Sequence, residues 1–385
     1  MVSLPRNFPR CGVCSSKLVK NGKTSAGRTR WRCLACGASQ VQDRVDITRR
    51  SQLERFHNWL LSPLPQHAQG GTGRSFRAQT AWCWNIAVPQ PAPTGEVHEV
   101  VMLDGTYFQG WCVLIAYAHP FVLGWQWCDR EKAIAWHQLL QALPAPGMAV
   151  IDGAGSLAAA LATCWPDVPV QRCYFHIKAA IRRHVTLQPR LKAGQELSAL
   201  TNALMTVSTP AQARAWLAQY TAWETRWDTF LKHRSYAGNH RPRPHGIPEY
   251  RTWWYTHREL RRARALYRRL IKTNTLFTWL TASPEGRALP RTTSPLEGGP
   301  NKAIKDLLRH HRGLPPHRAT IAVDWLLNSM TEKPYQPWDL AQPEHWQPSR
   351  PRPEIIEPEP GPAWGTNFSW EDGNRLGQGW AGRSN

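Results

Sequence analysis

Apolar and polar positions along residues 98–174 follow a pattern that predicts a mixed α/β unit. Short apolar runs bounded by turn residues indicate buried strands. The predicted strands are the run that ends at Asp104, then Trp111–Ala118, Phe121–Cys128, Met148–Asp152 and Val168–Tyr174. A helical period over Glu131–Leu143 and a short helix ending at Cys164 fall between the last three strands. The predicted order is therefore βββαβαβ, and the first three strands form an antiparallel meander.

The first and fourth of these strands each end at an aspartate followed by glycine, Asp104-Gly105 and Asp152-Gly153. Asp-Gly is also a common turn after a strand, so each aspartate taken alone has a purely structural explanation. Two aspartates at the same kind of strand end favour a shared carboxylate site. Neighbouring carboxylates repel unless a cation lies between them, and a divalent metal ion is the usual cation.

The charge of the chain points to a polyanionic partner. Its 385 residues are enough for two or three domains with real cores, and they carry a net charge of +21 with a pI of about 10.1. The longest apolar run, Trp111–Ala118, has eight residues, and the N-terminus lacks an apolar signal core. We therefore expect a cytoplasmic protein that binds nucleic acid and has no membrane partner.

Four of the nine cysteines form two C-x-x-C pairs, Cys11 with Cys14 and Cys33 with Cys36. Two such pairs, separated by the length of a small hairpin, predict a tetrahedral zinc site. A module this small cannot bury a core of its own, so the metal would hold it together. The sequence therefore predicts a structural Zn²⁺ in a zinc ribbon over residues 1–45.

The segment between the two cysteine pairs is basic, with Lys17, Lys20, Lys23, Arg28, Arg30 and Arg32. A basic ribbon suits DNA phosphates, and Arg28 and Arg30 are the candidate contacts. A solvated charged face is the alternative explanation.

Residues 46–95 predict two short helices and a linker. Ser51–Glu54 has the pattern of a capping box and opens a helix to about Leu61, and Ser75–Ile86 predicts a second helix. Two short helices beside a zinc ribbon suggest a helix-turn-helix, with Arg77 on the groove-reading helix. Pro89–Pro93 then forms a stiff linker.

Residues 190–290 lack the α/β rhythm and predict an all-helical insertion. Within it, His257–Lys272 has an apolar face opposite a cationic one. The cationic face carries Arg261, Arg262, Arg268, Arg269 and Lys272, with Glu259 as its acidic neighbour. We expect these arginines to contact the DNA backbone.

Two further motifs complete a family resemblance. Cys173-x-x-His176 follows the strand and helix of the second aspartate, and Thr292-Thr-x-x-x-Glu297-Gly-x-x-Asn301 follows the insertion. Together with Asp104-Gly-Thr and the order βββαβαβ, these motifs resemble DDE transposases of the bacterial insertion-sequence group related to Mutator-like transposases. The resemblance spans residues 98–333. It implies a ribonuclease-H-like α/β catalytic core, interrupted by an all-α insertion, in which the first and fourth strands are neighbours.

The resemblance also implies a catalytic site for Mg²⁺ or Mn²⁺ held by Asp104, Asp152 and a third carboxylate that follows the insertion. The glutamates in reach along the chain are Glu249, Glu259, Glu285 and Glu297. Glu297 is the candidate because it precedes a basic helix whose Lys302 and Lys305 suit a DNA phosphate. A glutamate favoured at a helix N-terminus by the helix dipole is the alternative explanation.

Cys173 and His176 lie one turn apart at a strand-to-helix junction. Three roles are open to them: ordering of the site, contact with DNA, or packing. A lone Cys/His pair does not complete a zinc site, so we expect a structural role, or support of the metal-binding residues, rather than a ligand role.

The predicted domains are the zinc ribbon (1–45), the helix-turn-helix region and linker (46–95), the first part of the catalytic core (96–189), the insertion (190–290), the C-terminal part of the core (291–333) and a disordered, Pro-rich tail (334–385). The predicted function is an insertion-sequence transposase that binds terminal inverted repeats and cleaves and joins DNA. Its partners would be double-stranded element ends and target DNA, and it would act as a homo-oligomer in that complex. A non-catalytic zinc-ribbon DNA-binding regulator, or an inactivated transposase copy, is the alternative.

Overall fold

The computed structural model describes residues 9–41, 45–69, 72–108, 110–238, 243–282 and 289–347. These residues form a mixed α/β protein that divides into two compact units. The first unit takes its described residues from Met1–Pro91 and Pro300–Ile356, and the second takes its own from Ala92–Gly299. The predicted C-terminal part of the core, 291–333, is therefore divided between the units at Gly299.

The strands of the described residues are β1 (Leu18–Lys23), β2 (Thr29–Cys33), β3 (Ser39–Val41), β4 (Val100–Phe108), β5 (Trp111–Ala118), β6 (Phe121–Cys128), β7 (Met148–Ile151), β8 (Val170–Arg172), β9 (Arg234–Tyr236) and β10 (Trp253–Tyr255). The α-helices are α1 (Val45–Leu60), α2 (Gly73–Thr80), α3 (Ala133–Gln141), α4 (Gly155–Cys164), α5 (Tyr174–Val185), α6 (Lys192–Leu204), α7 (Pro210–Leu231), α8 (Arg258–Lys272), α9 (Ser294–Leu296), α10 (Lys302–His310), α11 (Pro316–Ser329) and α12 (Pro337–Leu340). Within the described ranges, none of the helices combines the length and the apolar character that crossing a membrane requires.

The first unit begins with a small antiparallel sheet in the order β1-β2-β3. Its core is a cluster of Cys11, Leu18 and Cys33, with Trp31 packed against it. So few buried apolar side chains stabilise a fold weakly, and modules of this size usually need a metal or a disulfide. The described part of the predicted zinc ribbon is therefore a three-stranded module. Two of the four cysteines of its C-x-x-C pairs lie in its core.

Helices α1 and α2 continue the first unit and pack through aromatic side chains. Trp59 of α1 contacts Phe76 of α2 edge to face, with ring centroids 5.4 Å apart. The predicted start of α1 is wrong: the helix begins at Val45, so Ser51 lies in its interior. No helix breaker stands between these two residues, so the helix extends N-terminally past the predicted cap. The N-cap of α2 is Thr72, whose hydroxyl accepts a hydrogen bond from the Ser75 N–H.

The predicted disordered tail, 334–385, is wrong for its first residues. Helix α12 and a 3₁₀ turn over Pro343–Trp346 are ordered. Asn85 donates side-chain hydrogen bonds to the carbonyls of His345 and Gln347, and Arg49 donates one to the carbonyl of Trp346. These hydrogen bonds hold the proline-rich backbone against the rest of the first unit. The prediction of disorder was based on low hydrophobicity, which takes no account of such hydrogen bonds. Residues 348–385 lie outside the described residues.

The second unit is organised around a five-stranded sheet in the order β6-β5-β4-β7-β8. Strands β4, β5 and β6 form the predicted antiparallel meander, and β7 and β8 join parallel to β4 and to each other. Helices α3 and α4 cover one face of the sheet. That face and the two helices share a core of Val101, Leu103, Cys112, Leu114, Ala149, Ile151, Trp136, Leu140, Leu157 and Leu161. The observed element order from β4 to β8 is the predicted βββαβαβ.

Strand β4 is longer than predicted, because it continues through Gly105 to Phe108. Gly105 pairs with Leu114 of β5. A Cβ at Gly105 would lie 3.3 Å from Cys112 Sγ and 3.5 Å from a carboxylate oxygen of Glu131. The glycine therefore marks a close approach within the sheet rather than the end of the strand. Strand β8 is shorter than predicted, since Tyr174 already belongs to α5.

The insertion between α5 and α9 is mostly helical but not all-helical as predicted. Strands β9 and β10 form a two-stranded antiparallel ribbon within it. Arg234 of β9 lies over the ring of Trp253 of β10, with its guanidinium carbon 4.1 Å from the ring centroid. The ribbon is stabilised by such cross-strand contacts, which short aromatic runs do not reveal by periodicity. Helix α7 buries three aromatic side chains at helical spacing, Trp216, Tyr220 and Trp223.

Candidate functional site

The register of β4 and β7 brings the two predicted aspartates side by side. The strands are parallel, and their ladder ends with Leu103 paired to Ile151. Asp104 and Asp152 are the next residue on each chain. Because adjacent parallel strands present equivalent positions to the same edge, the two carboxylates are neighbours. The antiparallel partner of Asp104 is Ile115 in β5, so Asp104 lies at the centre of the sheet.

The backbone after β7 fixes the position of Asp152. Gly153 has a positive φ of 95°, and a Cβ there would overlap the guanidinium of Arg172. Arg172 donates a hydrogen bond to the Asp152 carbonyl at 2.7 Å, and the Ala154 N–H donates to Asp152 Oδ1 at 2.8 Å. The glycine of Asp152-Gly153 is thus required by the close approach of an arginine.

Glu297 completes a three-carboxylate group with the two aspartates. Burial raises the pKa of Asp104 well above its usual range, and the charges of Asp152, Glu297 and Glu131 raise it further. Only the charge of His176 among the principal neighbours lowers that pKa. The charges of Asp152 and Glu297 therefore both act on Asp104, and we call Asp104, Asp152 and Glu297 the carboxylate cluster.

Glu297 follows the single turn of α9 and opens a π-helical turn over Glu297–Asn301. Thr293 holds it twice: the Thr293 carbonyl accepts from the Glu297 N–H at 2.9 Å, and the Thr293 hydroxyl donates to Glu297 Oε1 at 2.5 Å. Gly299 leaves helical geometry, with φ −96° and ψ −105°, so the chain does not continue as a regular helix from Glu297. The contact between Thr293 and Glu297 joins residues four apart, a separation that places two side chains on the same side of a helical turn.

The other glutamates considered from the sequence are placed differently. Glu259 forms ion pairs with His184 and with Arg262, both at 2.7 Å. Glu249 is exposed in the turn region before β10. Glu285 lies outside the described residues. Of the described candidates, Glu297 is the one whose charge acts on Asp104.

Cys173 and His176 also belong to this region. Cys173 is buried at the start of α5, and its N–H donates to the carbonyl of Ile151 at 2.8 Å. The backbone N–H and the hydroxyl of Thr293 lie 3.4 and 3.3 Å from the Cys173 sulfur. His176 Nδ1 is 3.8 Å from Glu297 Oε1. The Cys-x-x-His motif therefore adjoins the third carboxylate, although its role stays a prediction.

The electrostatics of the motif follow from its neighbours. Burial opposes ionisation of the Cys173 thiol, but His176 and the hydrogen bonds from Thr293 lower its pKa below the usual value. Burial likewise lowers the pKa of His176, but the Cys173 sulfur and the charges of Asp104 and Asp152 outweigh it and raise that pKa to about 9. A positive imidazolium beside the carboxylate cluster partly offsets its negative charge.

Sequence reasoning missed Glu131, a further carboxylate near the cluster. Its Oε1 accepts a hydrogen bond from the Trp136 indole at 2.9 Å. Burial raises the pKa of Glu131 to about 7, and the charge of Asp152 contributes to the rise. The sequence pattern marked this residue only as the first position of a predicted helical period, whereas α3 begins at Ala133. A carboxylate between a buried strand and a buried helix is the weak signal that was available.

The cysteines of the two C-x-x-C pairs form a second group of ligand-type side chains, which we call the four-cysteine cluster. The sulfurs of Cys11, Cys14, Cys33 and Cys36 all lie within 4.8 Å of one another. Cys11 Sγ is 3.6 Å from Cys36 Sγ, and Cys14 Sγ is 3.3 Å from Cys33 Sγ. Sulfurs bound to one tetrahedral zinc ion stand about 3.8 Å apart, so this arrangement can hold structural zinc.

The thiols of the four-cysteine cluster differ in acidity. Hydrogen bonds from Ser16 and from neighbouring cysteines lower the pKa of Cys14 to about 6. A backbone hydrogen bond from Ala38 favours the Cys36 thiolate, but the sulfurs of Cys14, Cys33 and Cys11 together with burial outweigh it and raise the pKa of Cys36 to about 12. The first thiolate to form therefore opposes the next. A cation among the four sulfurs would remove this repulsion.

The residues predicted to contact DNA are exposed to different degrees. Arg28 and Arg30 are at least partly exposed on and beside β2, as are Lys302 and Lys305 on α10. Lys302 is already paired with Asp306 at 2.7 Å. On α2, Arg77 is exposed but donates to the side-chain oxygen of Gln66 at 2.7 Å.

The cationic face of α8 is partly neutralised within the second unit. Arg262 pairs with Glu259, Arg268 pairs with Glu224, and Arg261 lies over the ring of Tyr255 with its guanidinium carbon 3.5 Å from the centroid. Glu259 is therefore not the sole acidic neighbour of this face. Arg269 is exposed, and no ion pair joins it to an acidic residue of the described ranges.

Residues 112–243 match the model of a protein family described as transposase, Mutator family. The predicted resemblance to Mutator-like transposases is confirmed over this segment. The matched segment contains Asp152, Cys173 and His176, whereas Asp104 and Glu297 lie on either side of it. No curated protein matches the chain significantly.

Proposed function

We propose that this chain is a DDE-type DNA transposase. It would bind the terminal inverted repeats of an insertion sequence, cleave the DNA there and join the ends to target DNA. The observation that carries the proposal is the carboxylate cluster: the register of β4 and β7 places Asp104 beside Asp152, and the charge of Glu297, from a separate segment, acts on Asp104. The Mutator-family match over residues 112–243 supports the same activity.

We propose a ribonuclease-H-like fold for the part of the second unit that carries this cluster. Three features support it: the order βββαβαβ, the central position of β4 beside the parallel strand β7, and a largely helical insertion before the third carboxylate. The same fold can carry different activities, because the residues of the site determine the reaction. The reaction products therefore distinguish a transposase from a nuclease with the same fold.

The carboxylate cluster suits Mg²⁺ or Mn²⁺, because both ions prefer carboxylate oxygens. The repulsion that raises the pKa of Asp104 is the property that a bound cation would relieve. Asp104, Asp152 and Glu297 would hold the metal. When bound, it would supply charge stabilisation for the phosphodiester and activate the attacking oxygen.

The chain's own residues orient these carboxylates. Ala154 holds one oxygen of Asp152, and Thr293 holds one oxygen of Glu297. Hydrogen bonds of this kind restrict the rotation of a carboxylate and keep it in position for binding.

Recognition of DNA would use the first unit and the helical insertion. The net charge of +21 supplies the electrostatic attraction to double-stranded DNA. The four-cysteine module with Arg28 and Arg30, and the α1–α2 pair with Arg77, would read the element ends. Arg261, Arg262, Arg268 and Arg269 of α8, with Lys302 and Lys305 of α10, would contact phosphates. We propose a homo-oligomer in the complex, because joining requires two element ends to be held together.

A strand-transfer assay with labelled element ends tests the proposal. Full-length protein, end DNA, target plasmid and Mg²⁺ should yield joined products, and omission of the divalent ion should abolish them. The matched variant is Asp152→Asn, which removes one ligand charge and keeps the shape of the side chain.

The two alternatives give different results in that assay. A non-catalytic regulator would bind the ends equally well with or without Mg²⁺ and would yield no cleaved or joined DNA. A nuclease would cleave the DNA and would not join it.

A further inference from the structure

Cys173, His176 and Glu297 form a group of three metal-ligating side chains that we call the Cys-His-Glu cluster. One potential ligand atom from each lies within 4.8 Å of the other two. We propose that this cluster is a second zinc site, distinct from the four-cysteine cluster. The sequence motif alone provides two donors, and the fold adds the carboxylate of Glu297 as the third.

The spacing of the ligand atoms is close to that of a zinc site. Zinc bonds to sulfur, nitrogen and oxygen of about 2.0–2.3 Å place tetrahedral ligand atoms about 3.3–3.8 Å apart. His176 Nδ1 and Glu297 Oε1 are 3.8 Å apart. A shift of a few tenths of an ångström would bring them to ideal spacing, which side-chain rotation alone can supply.

Two of the three ligands are held in place before any metal binds. The Cys173 sulfur lies at the first turn of α5 and faces the N–H and hydroxyl of Thr293. The same hydroxyl donates to Glu297. A hydroxyl has one proton, so it cannot satisfy the sulfur and the carboxylate at once. A metal ion on the sulfur would leave that proton to Glu297.

His176 supplies an independent sign of a missing ligand. Its Nδ1 is enclosed and has no hydrogen-bond partner among the described residues. A buried ring nitrogen without a partner costs free energy, and a metal bond is one way to satisfy it.

The donor atoms favour a particular metal ion, and the exposure of the side chains gives that ion access from solvent. Thiolate, imidazole and carboxylate donors together favour zinc over magnesium, which prefers oxygen ligands alone. The side chains of His176 and Glu297 are 36% and 41% exposed, so an ion can enter from solvent. Three protein ligands leave the fourth position for water.

One consequence rests on the proposed function. Glu297 belongs to both the Cys-His-Glu cluster and the carboxylate cluster, so zinc bound to it would withdraw the third carboxylate from Mg²⁺. Micromolar zinc should then inhibit DNA cleavage, and a chelator weak enough to spare the four-cysteine cluster should restore it.

The test uses Co²⁺ and Zn²⁺ as probes of the full-length chain. Equilibrium dialysis should give two zinc ions per wild-type chain and one for Cys173→Ser. Titration with Co²⁺ should show two phases of sulfur-to-cobalt absorption, of which Cys173→Ser removes the weaker. Cys164→Ser is the matched control, because Cys164 is partly buried and belongs to neither cluster. Its stoichiometry should stay at two.

The variant Glu297→Gln guards against a folding artefact at the buried Cys173. It keeps the shape of a partly exposed side chain, and it should weaken binding of the second ion at least tenfold. A wild-type chain that binds one ion in both titrations would overturn the proposal, as would an unchanged second phase in Cys173→Ser and Glu297→Gln. Cleavage that stays absent with Mg²⁺ after selective removal of the second zinc ion, in a wild-type chain that binds two, would refute the transposase function and leave the zinc site standing.

Discussion

The four-cysteine cluster and the carboxylate cluster are both groups of ligand-type side chains, but they relate to their folds in opposite ways. The four-cysteine cluster belongs to a three-stranded module whose core includes Cys11 and Cys33 themselves. The carboxylate cluster lies on a sheet whose extensive apolar core is made by other residues. A metal ion held by the four-cysteine cluster would stabilise the fold of its module directly. A metal ion held by the carboxylate cluster would bind to a fold whose core other residues make.

The two clusters also differ in how far apart their members lie in the chain. The four-cysteine cluster spans residues 11–36, whereas the carboxylate cluster joins residues 104, 152 and 297. A local motif is visible in the sequence with its spacing. A dispersed site depends on strand register and on the path of the chain after the insertion, neither of which is a local property.

The largest expected effect is the loss of the zinc module. Cys33→Ser should abolish tight zinc binding and unfold residues 9–41, because structural zinc contributes about 10–16 kcal/mol of binding free energy in small modules. The measurement is zinc content together with amide hydrogen exchange over that segment. Cys83→Ser, at a buried cysteine outside the cluster, is the control and should keep both. A folded Cys33→Ser ribbon without zinc would remove the distinction between the two clusters.

The next effect concerns catalysis without folding. Asp104→Asn and Asp152→Asn should each lower DNA cleavage by roughly a thousandfold or more, since a metal-bound transition state loses several kcal/mol of stabilisation. End binding measured by gel shift should stay within about threefold of wild type. Cleavage at wild-type rate by either variant would show that the aspartate concerned does not hold a catalytic metal ion.

The sequence predicted much of the second unit because its signals were local. Strands β5 and β6 begin and end at the predicted residues, and β7 begins at the predicted Met148 and ends one residue before the predicted Asp152. The apolar runs are bounded there by turns such as His119-Pro120, and such boundaries need no tertiary information. The end of β4 was missed because Gly105 looks like a terminator, whereas close packing against Cys112 is its reason.

Other features depended on contacts that no periodicity records. The β9–β10 ribbon rests on cross-strand aromatic contacts, and α1 passes through a sequence that resembles a cap. In the site, Asp104 and Asp152 were evident as strand ends. Glu131 and Thr293 were not, because their importance comes from what the fold brings beside them.

The third prediction separates Glu297 from its competitors. Glu297→Gln should lower cleavage by roughly a hundredfold or more, because one metal ligand and its charge are removed. Glu249→Gln is the matched control: Glu249 is an exposed glutamate of the same unit, and its variant should cleave within about twofold of wild type. The readout is the cleavage rate across a range of Mg²⁺ concentrations. A loss of cleavage in Glu249→Gln instead of Glu297→Gln would show that Glu249 is the third carboxylate. Glu297 would then not belong to the catalytic site.

The smallest effect is the sharpest contrast, because its sign is opposite to that at the four-cysteine cluster. Asp104→Asn should raise the melting temperature of the zinc-loaded, Mg²⁺-free protein. Burial and the charge of Asp152 raise the pKa of Asp104 well above its usual range, so its ionised form opposes folding. An acid whose pKa is raised by folding causes no loss of stability at a pH below its unfolded pKa. Its destabilisation grows as the pH rises from the unfolded pKa and levels off above the folded pKa.

The gain from Asp104→Asn should therefore be absent near pH 4 and present at pH 8. It should amount to roughly 2–4 °C for each kcal/mol of repulsion removed. Saturating Mg²⁺ should shrink it, because a cation stabilises the wild-type carboxylate and not the amide. Differential scanning fluorimetry at the two pH values, with and without Mg²⁺, measures all four conditions. A lower melting temperature for Asp104→Asn at pH 8 without Mg²⁺ would mean that this carboxylate supports the fold as the cysteines do.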